Sequence, residues 1–242
     1  MAYAVYGRNY KSKLGSNRPK GLAEALGVSV EHASEASRAV DAFCMSADRE
    51  LAAHHIPSRG RNAGGSDDAM KLCSALWARM CDVTDRQVLM SHDGYLKLFQ
   101  LSRPRLDQEF DIILVDEFQD TNPVAVALFM AQSCRKVFVG DDHQSIYAFR
   151  GATNAFASIK ADETLLLTES YRFGPETARL ATLLLAGYKS ETEPLVGLNV
   201  AARTDEGIDD SKPYAILCRT NAGLFSRAVD QLDHKNSPHW RR

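Results

Sequence analysis

Four consecutive apolar residues, Ile112 to Val115, end directly in the adjacent carboxylates of Asp116 and Glu117. The run shows no alternation of polar and apolar residues, so it predicts a strand covered on both faces, as in a parallel sheet under helices. The carboxylates would emerge at the carboxyl end of this strand, where open α/β sheets bind ligands. Clustered carboxylates are tolerated there mainly when a cation or a polarised water shares the site, so the pattern indicates a divalent metal beside a phosphate.

Composition sets limits on partners and location. The 242 residues are 45% hydrophobic and 25% charged, which is typical of a soluble globular protein with one or two domains. A net charge of -2 gives no global attraction to nucleic acid, so such binding must come from local patches. One basic segment that also contains tyrosines precedes Glu24; it suits a nucleic-acid strand or is simply solvated. Its basic residues are Arg8, Lys11, Lys13, Arg18 and Lys20.

Several kinds of protein are disfavoured. The five cysteines form no C-x-x-C pair, which indicates reduced thiols in an intracellular protein. The histidines, including the neighbours His54 and His55, show no ligand spacing such as H-E-x-x-H, so we expect no metal held by histidine. Neither a membrane span nor a signal-peptide core is visible. The expected location is the nucleus in a eukaryote and otherwise the cytoplasm.

The chain changes character twice. Residues 22–82 have apolar residues at helical spacing. From about residue 91, short apolar strands alternate with helices: "DIILV", a helix opened by Asn122 and Pro123, then "KVFVG". A third segment begins near residue 164 with the strand "TLLLTESYR", followed by a helix from Pro175 to about Ala186 stopped by Gly187, and a strand at 214–218. The fold class is therefore α/β.

A second group of polar and aromatic residues follows the strand in "VFVGDDHQSIYAFRGA", residues 137–152. Gln144 could contact a phosphate oxygen or a water. Tyr147 and Phe149 offer stacking faces to single-stranded bases, and Arg150 adds a cation for the backbone. Taken alone, the two rings would more often be core aromatics.

A third group, in "LTESYRFGPETARL", places Tyr171 and Arg172 between a strand and a helix. Arg172 could bind phosphate oxygens through its guanidinium fork, although a lone arginine is usually a salt-bridge partner. A lone D-E pair after a strand is likewise more often a helix cap. Three such groups in this order, each preceded by a strand, favour the functional interpretation.

These segments together resemble the UvrD/Rep/PcrA helicases of superfamily 1. "ILVDEFQDTNP" resembles their motif II, "VGDDHQSIYAFRGA" their motif III and "LTESYRF" their motif IV, and "AILCRTNA" at 215–222 is similar to the strand and turn beyond. "SHDGYLKLFQLSRP", residues 91–104, resembles the F-box DNA helicase branch. The resemblance implies an incomplete RecA-like P-loop NTPase lobe with a helical insertion and the start of a second RecA-like lobe. The corresponding divisions are 1–90 for the helical subdomain, 91–162 for the first lobe and 163–242 for the second.

The family implies ATP and Mg²⁺ as cofactors. Asp116 would hold the Mg²⁺ that bridges the nucleotide phosphates, and Glu117 would orient and deprotonate the attacking water. Gln119 and Asp120 complete the D-E-x-Q-D signature and would support motif III. Gln144 would sense the terminal phosphate.

The same resemblance assigns residues to DNA and to the second lobe. Tyr147, Phe149 and Arg150 would bind single-stranded DNA and duplex junctions, with Phe149 where many relatives have tryptophan. Tyr171 would stack on the adenine, and Arg172 would reach the γ-phosphate as an arginine finger does. Repair or recombination proteins are further expected partners, and no membrane is.

The sequence contains no Walker A string, G-x-x-x-x-G-K-[ST], whose amides and lysine cradle phosphates. We therefore expect a fragment from the middle of an ATP-dependent 3′ to 5′ DNA helicase, inactive by itself. One alternative is a non-hydrolysing single-strand binding or scaffold module derived from such an enzyme. A second is a helicase-nuclease subunit of the AddA or RecB kind, which would need a carboxylate-rich nuclease domain that is not visible.

Overall fold

The computed structural model describes residues 13–57, 66–145, 155–199 and 215–233. The chain divides into two compact units, Met1–Asp162 and Glu163–Arg242. The main elements of the first unit are α1 (Pro19–Leu26), α2 (Val30–Met45), α3 (Ser66–Cys81), α4 (His92–Leu101), β1 (Ile112–Val115), α5 (Pro123–Met130) and β2 (Arg135–Phe138). Those of the second are β3 (Glu169–Ser170), α6 (Pro175–Lys189), β4 (Val196–Gly197) and α7 (Asn221–Asp233).

A helical core occupies the amino-terminal part of the first unit. Helix α2 begins after Ser29, whose side chain accepts a hydrogen bond from the His32 amide and caps the helix. Its buried face includes Val40 and Phe43, which pack against the apolar face of α3. Helix α4 packs on α2 as well, so this core extends past residue 90 to Leu101. In the described part of the chain, no helix is long and apolar enough to cross a membrane.

A buried lysine lies against the carboxyl end of α3 and the turn that follows it. The Nζ atom of Lys13 donates to the carbonyl oxygens of Arg79, Asp85 and Val88 at 2.6 to 2.9 Å. Burial is the main cause that lowers the pKa of Lys13. Neither interpretation of the basic segment, a nucleic-acid patch or a solvated segment, holds for Lys13, because its ammonium is enclosed by three carbonyls.

Strands β1 and β2 are parallel and are joined by α5. Ile112 pairs with Arg135 and Val115 pairs with Phe138 at the two ends of the register. The Asn122 side chain accepts a hydrogen bond from the Ala125 amide, and Pro123 occupies the first turn of α5. The predicted strand–helix–strand order and the helix start are confirmed, because both depend on local capping and chain-direction signals.

The prediction that β1 is covered on both faces is wrong. Ile112 and Leu114 are 47% and 74% exposed, and Val137 on β2 lies on the same open face. Within the described residues the sheet has only two strands, and one face is left without a covering helix. The apolar run correctly predicts that a strand forms, but it does not determine which elements cover the two faces of that strand.

The second unit has a similar arrangement on a smaller scale. Strand β3 pairs in parallel with β4, and α6 joins them. The predicted strand "TLLLTESYR" is reduced to Glu169 and Ser170, and residues 165–167 lie exposed before it. Residues 215–218 of the predicted strand at 214–218 are not a strand either, and Leu217 is 94% exposed. Apolar residues form a strand only where a partner offers backbone hydrogen bonds, and these two segments find none among the described residues.

Helix α6 continues through Gly187 and ends at Lys189, followed by Ser190 in the left-handed conformation with φ 57°. The prediction that Gly187 stops this helix is wrong. A glycine inside a helix costs about 1 kcal/mol relative to alanine, which the rest of α6 tolerates.

Candidate functional site

Asp116 and Glu117 emerge at the carboxyl end of β1, and both are exposed. The Glu117 amide donates to Asp116 Oδ1 at 2.9 Å. Glu117 adopts the left-handed conformation, with φ 50° and ψ 42°, which costs about 1–2 kcal/mol for a residue with a Cβ. The chain thereby turns sharply from β1 into the short 3₁₀ turn Phe118–Asp120. Strain of this kind persists only where the surroundings hold it, and it is often found at functional sites.

The packing of Phe118 keeps this turn in place. Its side chain is fully buried, stacks on Phe138 of β2 with ring centroids 4.2 Å apart, and meets Phe156 edge-on at 5.1 Å. Its amide donates to the Val139 carbonyl at 2.9 Å. The turn that carries the carboxylates is therefore fixed directly on the end of β2.

Gln119 connects the ends of the two strands. Its Nε2 donates to Glu117 Oε2 at 2.7 Å, and its Oε1 accepts from the Asp141 amide at 3.0 Å. A carboxylate only accepts and a backbone amide only donates, so the two partners determine the orientation of the side-chain amide. Gln119 is buried and contacts the segment after β2 through this bond, while the expected support of that segment by Asp120 stays a prediction.

Gly140 allows this close approach. A Cβ at residue 140 would overlap Gln119 Oε1 and would lie 3.0 Å from the Phe118 amide nitrogen and 3.1 Å from Phe156 Cε2. Two of these neighbours are a buried amide oxygen and a backbone atom, which have little freedom to move. The space at residue 140 therefore requires glycine.

Asp141 continues the connection to Gln144. Its Oδ1 accepts from the His143 amide at 2.9 Å, and its Oδ2 accepts from Gln144 Nε2 at 2.7 Å. Gln144 itself is exposed at the end of the 3₁₀ turn Asp142–Gln144. Hydrogen bonds thus join Glu117, Gln119, Asp141 and Gln144 across the carboxyl ends of β1 and β2, through the side chains of all four residues and, at Asp141, through its backbone amide as well.

The other predicted site residues do not all fall in this region. Tyr147, Phe149 and Arg150 lie outside the described residues. Tyr171 and Arg172 follow β3 in the second unit, where the Tyr171 side chain is largely exposed. The Tyr171 carbonyl accepts from Asn199 Nδ2 at 3.0 Å, and the Arg172 amide donates to Ser170 Oγ at 3.2 Å.

Sequence reasoning missed two residues that build the site, Phe118 and Gly140. Phe118 occupies the variable position of D-E-x-Q-D, and Gly140 looked only like the end of a strand. The signal for Phe118 was available: it is a large apolar side chain placed between four polar ones directly after a strand. A residue of that kind is usually buried.

Comparisons with known proteins place the chain in a family. Residues 16–163 match the UvrD/REP helicase N-terminal domain. The chain belongs to the UvrD/REP helicase family.

Among its relatives, F-box DNA helicase 1 of Gallus gallus is 31% identical over 95% of this chain. F-box DNA helicase protein 1 of Schizosaccharomyces pombe is 31% identical over 77%, and DNA helicase II of Escherichia coli is 32% identical over 72%. These matches confirm the predicted resemblance to UvrD-like helicases with affinity to the F-box branch. The chain spans about a quarter of the length of these relatives, 24%, 23% and 24% respectively.

Proposed function

We propose that this chain supplies the hydrolytic carboxylates of an ATP-dependent DNA helicase that translocates 3′ to 5′ on single strands. The series of hydrogen bonds from Glu117 through Gln119 and Asp141 to Gln144 is the observation that carries the proposal. These bonds connect Glu117, which would act on the attacking water, with Gln144, which would sense the terminal phosphate. A change at one end of such a series alters the hydrogen bonding at the other end.

Asp116 and Glu117 fit a magnesium nucleotide. Both carboxylates are exposed at a sheet edge, and carboxylate oxygen is the ligand type that Mg²⁺ prefers. Asp116 would bind the ion and Glu117 would orient and deprotonate the attacking water, while Gln119 holds the Glu117 carboxylate. The bound Mg²⁺ and ATP would supply the electrophilic phosphate and neutralise charge that develops on it.

Two residues of the second unit are proposed to contact the nucleotide. Tyr171 is exposed enough to stack on an adenine, and Arg172 would contact the γ-phosphate. In this proposal residues 91–162 belong to a RecA-like first lobe, residues 1–90 to its helical insertion and residues 163–242 to a second lobe. The proposed partners are single-stranded DNA, duplex junctions and proteins of repair or recombination, and the proposed location is nuclear in a eukaryote and otherwise cytoplasmic.

The 242-residue chain alone is expected to hydrolyse ATP negligibly, because no G-x-x-x-x-G-K-[ST] string is present to position the γ-phosphate. A phosphate-release assay with single-stranded DNA measures this, with Glu117→Gln as the background control. Turnover of about 1 per second or more, abolished by Glu117→Gln, would disprove the expected inactivity.

Tyr147 and Phe149 are proposed to stack on bases. Replacing either with alanine, in a version that also carries a phosphate-binding segment from a relative, is expected to weaken single-strand binding by about 1–3 kcal/mol. The affinity for ATP should change little. Fluorescence anisotropy with a short labelled oligonucleotide measures the first effect, and unchanged DNA affinity in both variants would mean that the rings are structural.

The second candidate is a non-hydrolysing DNA-binding or scaffold module. Such a module would not need the phosphate-binding string, which does not occur in the printed 242 residues. Such a module would bind single strands with an affinity that falls steeply with salt and does not respond to ATP. A titration with an oligonucleotide at two salt concentrations, with and without ATP, separates the two functions when it is done with the version that also carries a phosphate-binding segment from a relative.

A further inference from the structure

Three side chains converge just beyond the carboxyl end of α2, away from the candidate nucleotide site. Asp48 Oδ2 lies 2.6 Å from His54 Nε2 and 3.1 Å from His55 Nε2. The donor atoms of all three residues lie within 4.8 Å of one another. Adjacent histidines with an aspartate six residues earlier match no familiar ligand spacing, which is why the sequence argued against a site here.

The fold holds one of the imidazoles in place. His55 belongs to the 3₁₀ turn Ala53–His55, is buried, and packs edge-on against Phe43 at 5.4 Å. Its Nδ1 lies 3.1 Å from both the Ala52 carbonyl oxygen and the Ala52 amide nitrogen, so it donates to the first in one tautomer and accepts from the second in the other. The tautomer that donates to the carbonyl is the one that metal-binding histidines commonly have, because it leaves the lone pair of the other ring nitrogen free for an ion.

That other nitrogen, His55 Nε2, points toward oxygen atoms. Besides Asp48 Oδ2, the Ser46 hydroxyl oxygen lies 3.3 Å away. Bonds of about 2.0–2.2 Å in a tetrahedral site would separate neighbouring donor atoms by roughly 3.3–3.6 Å. The 3.1 Å between Asp48 Oδ2 and His55 Nε2 is slightly shorter than this, whereas the 2.6 Å between Asp48 Oδ2 and His54 Nε2 is the length of a hydrogen bond. The His54 side chain, 63% exposed, would therefore move outward to admit the ion.

We propose that Asp48, His54 and His55 bind a divalent cation of the zinc type, with the fourth position taken by water or by Ser46 Oγ. Two imidazoles and one carboxylate suit Zn²⁺ or Co²⁺ rather than Mg²⁺ or Ca²⁺, which prefer oxygen ligands. The ion would fasten the segment after α2 to the helical core. Lys97 Nζ donates to the carbonyl oxygens of Ser46 and Asp48 next to the site, and its positive charge would repel the bound cation.

Titration of the untagged 242-residue chain with CoCl₂, followed by visible absorption, tests the proposal. We expect one equivalent of Co²⁺ to bind with the absorption bands of imidazole-bound cobalt, and ZnCl₂ to displace it. His54→Ala and Asp48→Asn should each weaken binding about 10-fold or more. His32→Ala is the matched control, since His32 is exposed at the opposite end of α2 and should leave the affinity unchanged.

A second measurement does not depend on the spectrum. Zn²⁺ should raise the thermal unfolding midpoint of the wild type and of His32→Ala, and not that of His54→Ala, since a ligand stabilises the state that binds it. Replacement of the exposed His54 leaves the core intact, so this variant remains folded. Absence of cobalt bands in the wild type would overturn the proposal. Equal binding by His54→Ala and His32→Ala would overturn it as well.

Discussion

Glu117→Gln is expected to lower ATP turnover about 10²–10⁴-fold in a version of this chain joined to a strand, phosphate-binding loop and helix from a UvrD/REP relative. Glutamine keeps the size of the side chain, and its carbonyl oxygen can still accept the bond from Gln119 Nε2 that Glu117 Oε2 receives. It cannot take a proton from water. The loss should therefore appear in kcat and not in the affinity for ATP.

Phosphate release at saturating ATP and single-stranded DNA gives kcat, and a fluorescent ATP analogue gives the affinity. Glu109→Gln is the matched control, because Glu109 is exposed and lies just before β1. A Glu117→Gln variant that turns over at the parental rate would remove Glu117 from the role of general base.

Phe118→Ala is expected to destabilise the first unit by about 3–5 kcal/mol. The side chain is fully buried between Phe138 and Phe156, and its removal leaves a cavity under a turn that is already strained at Glu117. Urea unfolding of the 242-residue chain, followed by far-UV circular dichroism, measures the decrease in the free energy of unfolding of that unit.

Phe110→Ala provides the comparison for this effect. Phe110 has the same side chain two residues before β1 but is 54% exposed, so we expect a change within about 0.5 kcal/mol. Equal losses for the two variants would mean that Phe118 does not anchor the turn.

The parts of the fold that follow from local signals could be predicted. The order β1, α5, β2 is encoded by an apolar run, the cap Asn122 with Pro123, and a second apolar run. Each signal acts over a few residues, so the rest of the chain does not alter it. The position of Asp116 and Glu117 at a strand end follows in the same way.

The features that depend on contacts between residues far apart in the sequence could not be predicted. The open face of β1 and the unpaired segments at 165–167 and 215–218 reflect which neighbours are present, and an apolar pattern does not report that. Gly140 is required by a side chain that arrives from residue 119, 21 positions earlier in the chain. The meeting of Asp48 with His54 and His55 likewise depends on the path of the chain after α2, which periodicity does not describe.

We propose that the carboxylates at the end of β1 hydrolyse ATP for a DNA helicase. DNA-stimulated phosphate release by the version joined to a phosphate-binding segment tests it most directly, with the 242-residue chain and the Asp116→Asn and Glu117→Gln variants measured beside it. We expect turnover that rises with single-stranded DNA in the joined version, none in the chain alone, and a loss in both variants. A joined version that binds ATP and single-stranded DNA but releases no phosphate would contradict the claim and would favour the non-hydrolysing module.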